Sequence, residues 1–144
     1  MSITPPLPGT VRVAAVQMVS STKVDNNLAT AAQLISEAAG TGARLVVLPE
    51  YFCLMGRQDT DKVAVRETDG RGPIQDFLAT QARQHGVWLV GGTLPLEAPE
   101  PDRVFNTTLV FDPSGKRVYD RLGTVTRKSL EQIVDRQDTR RGAP

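Results

Sequence analysis

Glu50 is the residue of this chain whose setting best suits proton transfer. It follows Leu45-Val46-Val47-Leu48-Pro49, a short continuous apolar run that stops at a carboxylate. Such a run reads as a strand buried on both faces, as in the interior of a parallel or mixed sheet. Pro49 cannot donate to a ladder and marks the end of that strand. Glu50 then falls just beyond the strand's carboxyl end, where sheets of this class open their ligand crevices. A carboxylate partly withdrawn from water there is suited to general-base work, and the competing reading is a solvated loop glutamate. Tyr51 and Phe52 follow directly; core packing is the ordinary role for at least one of them, and a wall of a substrate pocket is the alternative that an enzymatic reading would add. Cys53, three residues past Glu50, is the only cysteine. A thiol needs a basic neighbour to act as a nucleophile, and none adjoins it in sequence, so Cys53 reads as inert.

Composition narrows the chemistry. With 144 residues, 40% hydrophobic and 23% charged, the chain suits one globular domain. A net charge of +1 gives no electrostatic reason to expect nucleic acid. One cysteine excludes an internal disulfide, and one histidine, His85, argues against a zinc site, so no metal is expected. His85 falls at a helix end, where it reads as structural or merely exposed. The N-terminus has neither a basic nor an apolar signal region, and no run approaches a membrane span. A cytoplasmic protein without membrane contact is expected.

The elements that must position Glu50 follow from periodicity. Val11–Met18 reads as a first strand after a Pro/Gly-rich lead. Asp25 would cap a helix with Leu28, Ala31, Ala32, Ile35 and Ala38 at helical spacing, ended by Gly40 and Gly42. Strand, helix and the Glu50 strand together have the size of a crossover unit. Gly56 to Gly72 is polar and reads as a long surface loop. Pro73 opens a second helix that Gly86 closes. Val87–Leu94 is a third strand, whose Gly91-Gly92 pair suggests a bulge or a close backbone approach rather than a phosphate cradle. Pro95 to Pro101 reads as a turn. Val104–Phe111 and Lys116–Asp120 form a hairpin around Asp112-Pro-Ser-Gly115. The alternation indicates an α/β layered sheet protein.

Five blocks now carry a resemblance: Val11–Met18, the alanine-rich helix, Leu48-Pro-Glu-Tyr-Phe52, Trp88-Leu-Val-Gly-Gly-Thr-Leu-Pro95 and Phe105-Asn-Thr-Thr-Leu-Val-Phe-Asp-Pro-Ser-Gly115. In this order they resemble the nitrilase superfamily of carbon–nitrogen hydrolases. The branch most alike acts on small ω-amides such as deaminated glutathione or α-keto acid amides. The resemblance implies an αββα sandwich without metal or organic cofactor, acting on a small-molecule amide. It also leaves room for a homo-oligomer, since relatives commonly assemble as dimers or larger. It implies a Glu, Lys and Cys set in which the glutamate activates the thiol and the lysine stabilises the oxyanion. A thioester then forms, ammonia leaves and water hydrolyses the thioester.

Glu50 matches the base of that set. The lysine position appears as Arg121 in Tyr119-Asp-Arg-Leu-Gly, and arginine keeps the charge without the compact ammonium geometry. The resemblance implies a nucleophilic cysteine on a later strand, which this chain does not reach, and a family domain is nearly twice this length. Charge shifts at the same place. Residues 1–120 hold 11 basic and 13 acidic side chains, whereas residues 121–144 hold 6 and 3 and no aromatic residue. The expected organisation is therefore a lead over 1–10, the N-terminal part of a carbon–nitrogen hydrolase domain over 11–120, and an unrelated basic tail over 121–144. For that tail a frameshift is favoured over divergence. A truncated amidase half is the leading reading; an inactive α/β module that binds or oligomerises, or a degraded gene product, is the alternative. A chain lacking the sandwich's later strands would leave Val104–Phe111 facing solvent.

Overall fold

The computed structural model describes residues 7–122. Nine elements follow in order: β1 (Val13–Ala15), α1 (Val24–Gly40), β2 (Leu45–Val47), α2 (Asp59–Ala64), α3 (Pro73–His85), β3 (Trp88–Val90), β4 (Leu94–Glu97), β5 (Val104–Phe111) and β6 (Arg117–Leu122). The strands form one mixed sheet. β1, β2 and β3 are parallel, with Val13 opposite Leu45 and Leu45 opposite Trp88. β5 runs antiparallel to β3, β4 and β6.

Helices α1 and α3 cover the sheet because their apolar stripes recur at helical spacing. Ala31, Ile35 and Ala38 of α1 and Ile74, Leu78 and Ala82 of α3 are buried with Val46, Leu89 and Phe111 in one core. Val46, Leu89 and Phe111 are register partners across three strands, so one pleat row carries the contact. A helix layer on a mixed α/β sheet is the pairing expected of half an αββα sandwich.

Several local readings are corrected by the packing. The first strand is shorter than Val11–Met18, although Val16 still donates to the Val47 carbonyl at 2.9 Å. Asp25 lies in the first turn of α1, and Lys23 takes the N-cap position without a side-chain bond. The segment from Gly56 to Gly72 contains α2 and the buried Glu67. Glu67 accepts from the Ile74 N–H and, at 3.1 Å, from the Gln75 N–H, closing the first turn of α3. Pro95 lies inside β4 rather than in a turn. Its carbonyl accepts from the Glu67 N–H at 3.1 Å, so its missing donor faces away from β5 and leaves that ladder intact.

β5 is not an exposed strand. β3 and β4 lie end to end along one edge, and β6 pairs with the other. Thr107 to Phe111 are all buried. The hairpin turn is held by Asp112, whose Oδ1 accepts from the N–H groups of Ser114 at 2.9 Å and Lys116 at 3.1 Å.

Candidate functional site

The carboxyl end of β2 is shaped by its neighbours before any functional side chain is considered. Leu48 donates to the Val90 carbonyl at 2.9 Å, continuing the parallel ladder past β2. Between β3 and β4, Gly91 donates to the Leu109 carbonyl at 2.8 Å, and the register then slips by one residue. Gly92 sits in that bulge at φ +54°, against the Pro49 carbonyl. The chain turns there, and Tyr51 adopts φ +47°, the only positive value at a non-glycine residue among those described. Such a conformation costs about 1–2 kcal/mol at a residue with a Cβ, and it clusters at sites where function over-determines the backbone. The Tyr51 N–H donates to Thr93 Oγ1 at 2.9 Å, which holds the turn in place.

Glu50 emerges from this turn. Its Oε1 accepts a hydrogen bond from Asn106 Nδ2 of β5 at 3.0 Å. The residue is exposed, so the withdrawal from water expected at this strand end does not occur among the described residues. The result is a carboxylate tethered at one oxygen and open to a proton at the other. Three chain segments meet at it: the end of β2, the Gly92–Thr93 bulge and β5.

Tyr51 and Phe52 part company. Tyr51 lines a cleft of about 280 Å³ with Met55, Arg57, Asp59 and Lys62, and the Lys62 ammonium lies 4.0 Å from the centre of its ring. Burial raises the Tyr51 hydroxyl above its ordinary value, with the Glu50 and Asp59 charges adding to the effect. Glu50 is not among the cleft's lining residues. Phe52 is fully buried and stacks on Phe77 with ring centres 6.4 Å apart. A residue with no exposed surface cannot line a pocket, so Phe52 is core.

Cys53 is also fully buried. Burial pushes its thiol up to about 12, only partly opposed by a hydrogen bond to its own backbone and increased by the Glu67 charge. Its carbonyl accepts from Asn27 Nδ2 at 2.9 Å, pinning the segment to α1. Arg121 pairs across the ladder with Thr108, two residues along β5 from Asn106. Among the described residues no three His, Cys, Asp or Glu side chains converge as a metal site requires, and no helix is long and apolar enough to cross a membrane.

Thr93 and Asn106 lie inside two of the blocks that carry the resemblance, but no role at the site follows for either from the sequence. Asn106 had a signal: it is a carboxamide at the start of a polar interruption in an otherwise apolar strand, Val104-Phe-Asn-Thr-Thr-Leu-Val-Phe111. Gly92 was legible as a close approach, but its contact, Pro49, was not.

A family model described as carbon-nitrogen hydrolase matches residues 12–138. The match runs past residue 120, into the segment set apart by its charge. The omega-amidase NIT2 of Danio rerio is 39% identical over 105 residues, 72% of this chain and 36% of that protein. The deaminated glutathione amidase of Yersinia enterocolitica is 32% identical over 113 residues, 76% of this chain and 39% of that protein. The matched stretch is thus well under half the length of these relatives. Among solved structures, Saccharomyces cerevisiae Nit3, a member of branch 10 of the nitrilase superfamily, aligns at TM-score 0.69 and 28% identity over 84% of this chain and 46% of that one. The amidase from Nesterenkonia sp. AN1, solved with acrylamide, aligns at TM-score 0.70 and 22% identity over 85% of this chain and 46% of that one, which speaks to the fold alone.

Proposed function

The chain belongs to the carbon–nitrogen hydrolase family, and from that premise we propose that Glu50 is the general base for hydrolysis of a small-molecule amide, in the manner of the ω-amidases. The observation that carries the proposal is the Asn106 tether. Glu50 is presented beyond the end of β2 with one oxygen held at 3.0 Å from Asn106 Nδ2. In this reading Glu50 takes the proton of a cysteine thiol and later delivers it to the leaving nitrogen. The thiolate attacks the amide carbon, ammonia departs, and water hydrolyses the thioester. Arg121, in the lysine position, would carry positive charge toward the oxyanion. Tyr51 would form a wall of the substrate pocket. We place the reaction in the cytoplasm, since a thiol nucleophile must stay reduced to act.

Cys53 is not assigned the nucleophile's part, because its thiol is buried and held near 12. That burial also favours a second reading for the isolated chain, a non-catalytic α/β module that pairs with another chain.

A chimera tests the first reading. Residues 12–120 replace the matched stretch of the Danio rerio relative, which then supplies the rest of the active site. Ammonia release from succinamate should be measurable in the chimera, and Glu50→Gln should lower its rate by about two to four orders of magnitude, the usual worth of a positioned base. A loss under tenfold would remove Glu50 from the chemistry.

A further inference from the structure

We propose that Asn106 is a positioning residue for Glu50, aiming its carboxylate; the proposal rests on the reading of Glu50 as the base. The argument starts from how amide side chains are treated elsewhere in this chain. Buried Asn27 uses both ends: Oδ1 accepts from the Ser21 N–H at 2.7 Å, and Nδ2 donates to the carbonyls of Ser21 at 2.8 Å and Cys53 at 2.9 Å. Buried Gln75 does the same, with Oε1 accepting from the Gly70 N–H at 2.8 Å and Nε2 donating to Thr68 O at 2.8 Å and Arg71 O at 3.1 Å. These are amides that hold a fold together.

Asn106 is different. Its Nδ2 donates to Glu50, while its Oδ1 is buried with no partner. Turning the amide over would set its carbonyl against the Glu50 carboxylate and bury the NH2 group instead. Glu50 alone therefore fixes the orientation. An unpaired buried acceptor costs about 1–3 kcal/mol, and a leucine of similar volume would avoid it. Gln81 Oε1 is unpaired too, so an orphan oxygen alone is no signature. Asn106 is set apart because its other end grips the one carboxylate beyond the end of β2.

The mounting of Asn106 fits that task. It lies within β5, opposite Pro95 of β4 and one residue before the β6 ladder begins at Thr107. Glu50, by contrast, is an exposed residue in a turn, and its side chain has three rotatable bonds ahead of the carboxylate. A donor fixed in the β4–β5 ladder restricts that freedom from a regular strand. Thr108, two residues along β5 and on the same side of the strand, also buries an unpartnered hydroxyl oxygen. Asn106 and Thr108 thus put two polar side chains in a row that Val104 and Val110 flank.

The test reads the coupling directly, in the chain as it is. In a 15N-labelled sample, the side-chain NH2 protons of Asn106 should exchange with solvent several-fold more slowly in the native chain than in Glu50→Ala, while the backbone spectrum stays in place. Equal exchange in the two chains would overturn the proposal. In a second measurement, couplings about the Glu50 χ1 bond should report one dominant rotamer in the native chain and averaging in Asn106→Leu. An unchanged rotamer in that variant would also overturn it. Neither readout depends on turnover. If the chimera kept its rate with Glu50→Gln while the coupling held, the base assignment alone would fall.

Discussion

Gly92 lies so close to Pro49 that a methyl group on its Cα would sit 1.9 Å from the Pro49 carbonyl oxygen. The contact joins the bulge between β3 and β4 to the end of β2, one residue before Glu50. It sets where the Glu50 turn begins, and no residue but glycine fits it.

Gly92→Ala should therefore be among the most damaging single-methyl changes in the chain. The left-handed backbone alone costs about 1–2 kcal/mol for alanine, and the clash is with backbone that cannot rotate away. We expect a loss of at least about 3 kcal/mol, large against ordinary domain stability. Gly91→Ala is the control. Its added methyl meets Leu78 Cδ1 at 2.6 Å, the far end of a flexible side chain. A loss of about 1–2 kcal/mol is expected there, as for mild overpacking. Urea unfolding of the two variants checks the order.

Acid should loosen the hairpin before it loosens the core. Asp69 is lowered from 3.8, chiefly by the side-chain hydrogen bond from Arg117, with which it also forms an ion pair. For Asp112, burial pulls upward, but the bonds from the Ser114 hydroxyl and the Lys116 and Ser114 N–H groups win, and it too is lowered. A depressed carboxylate stabilises the fold above its unfolded value and loses that contribution as pH falls through its folded value. The effect should thus appear below about pH 4 and be absent between pH 5 and 7. Each group is well solvated, so each contribution is at most about 1 kcal/mol. The urea midpoint, followed from pH 6 to pH 3, should fall less steeply in Asp69→Asn and Asp112→Asn than in the native chain.

Local signals proved legible where local forces decide. Pro73 and Gly86 delimit α3 as the sequence suggests, because one fixes φ at the start and the other, at φ +62°, accepts the left-handed cap. Val104–Phe111 is one strand as expected. Some differences are local, such as Lys23 rather than Asp25 at the N-cap of α1 and the short helix α2 inside the polar segment; others are tertiary. Pro95 enters β4 because its nitrogen faces Glu67 rather than β5. Glu67 looked like loop surface, since its partners lie seven and eight residues on. The expectation that β5 faces solvent follows from the absent later strands of a sandwich, whereas β3, β4 and β6 of this chain pair with it. The position of Glu50 just past β2 is readable in the sequence; its hydrogen bond to Asn106, 56 residues away, is not.

Cys53 should behave as a core residue. With its thiol near 12, fewer than about one molecule in ten thousand carries a thiolate at neutral pH. A disulfide reagent such as dithionitrobenzoate should label the native chain orders of magnitude more slowly than the chain in 6 M guanidinium. The isolated chain should release no ammonia from succinamate above the protein-free level. Rapid native labelling, or turnover that Cys53→Ser abolishes, would make this thiol the nucleophile.

Glu67 should matter more to stability than any other carboxylate described. It is 6% exposed, and its two oxygens accept from the N–H groups of Ile74 and Gln75 and from Gln75 Nε2. Helix starts leave N–H groups unpaired, and an anion there also meets the positive end of the helix dipole. Glu67→Gln keeps the shape but offers a single acceptor oxygen and turns an NH2 group toward a donor. We expect a loss of about 2 kcal/mol, within the range for a buried polar group left unpaired. Because Ile74 and Leu78 of the same helix are fully buried in the core, the loss should be global rather than a fraying of α3. Gly72 supplies an internal check. At φ +149°, a Cβ on it would lie 2.3 Å from Glu67 Cδ. Gly72→Ala must therefore push Glu67 off the helix end, a harm that vanishes once Glu67 is truncated. The double variant Gly72→Ala with Glu67→Ala should accordingly lose less stability than the two single changes added together, by about 1 kcal/mol or more. Strict additivity in urea unfolding would mean that Glu67 does not hold α3.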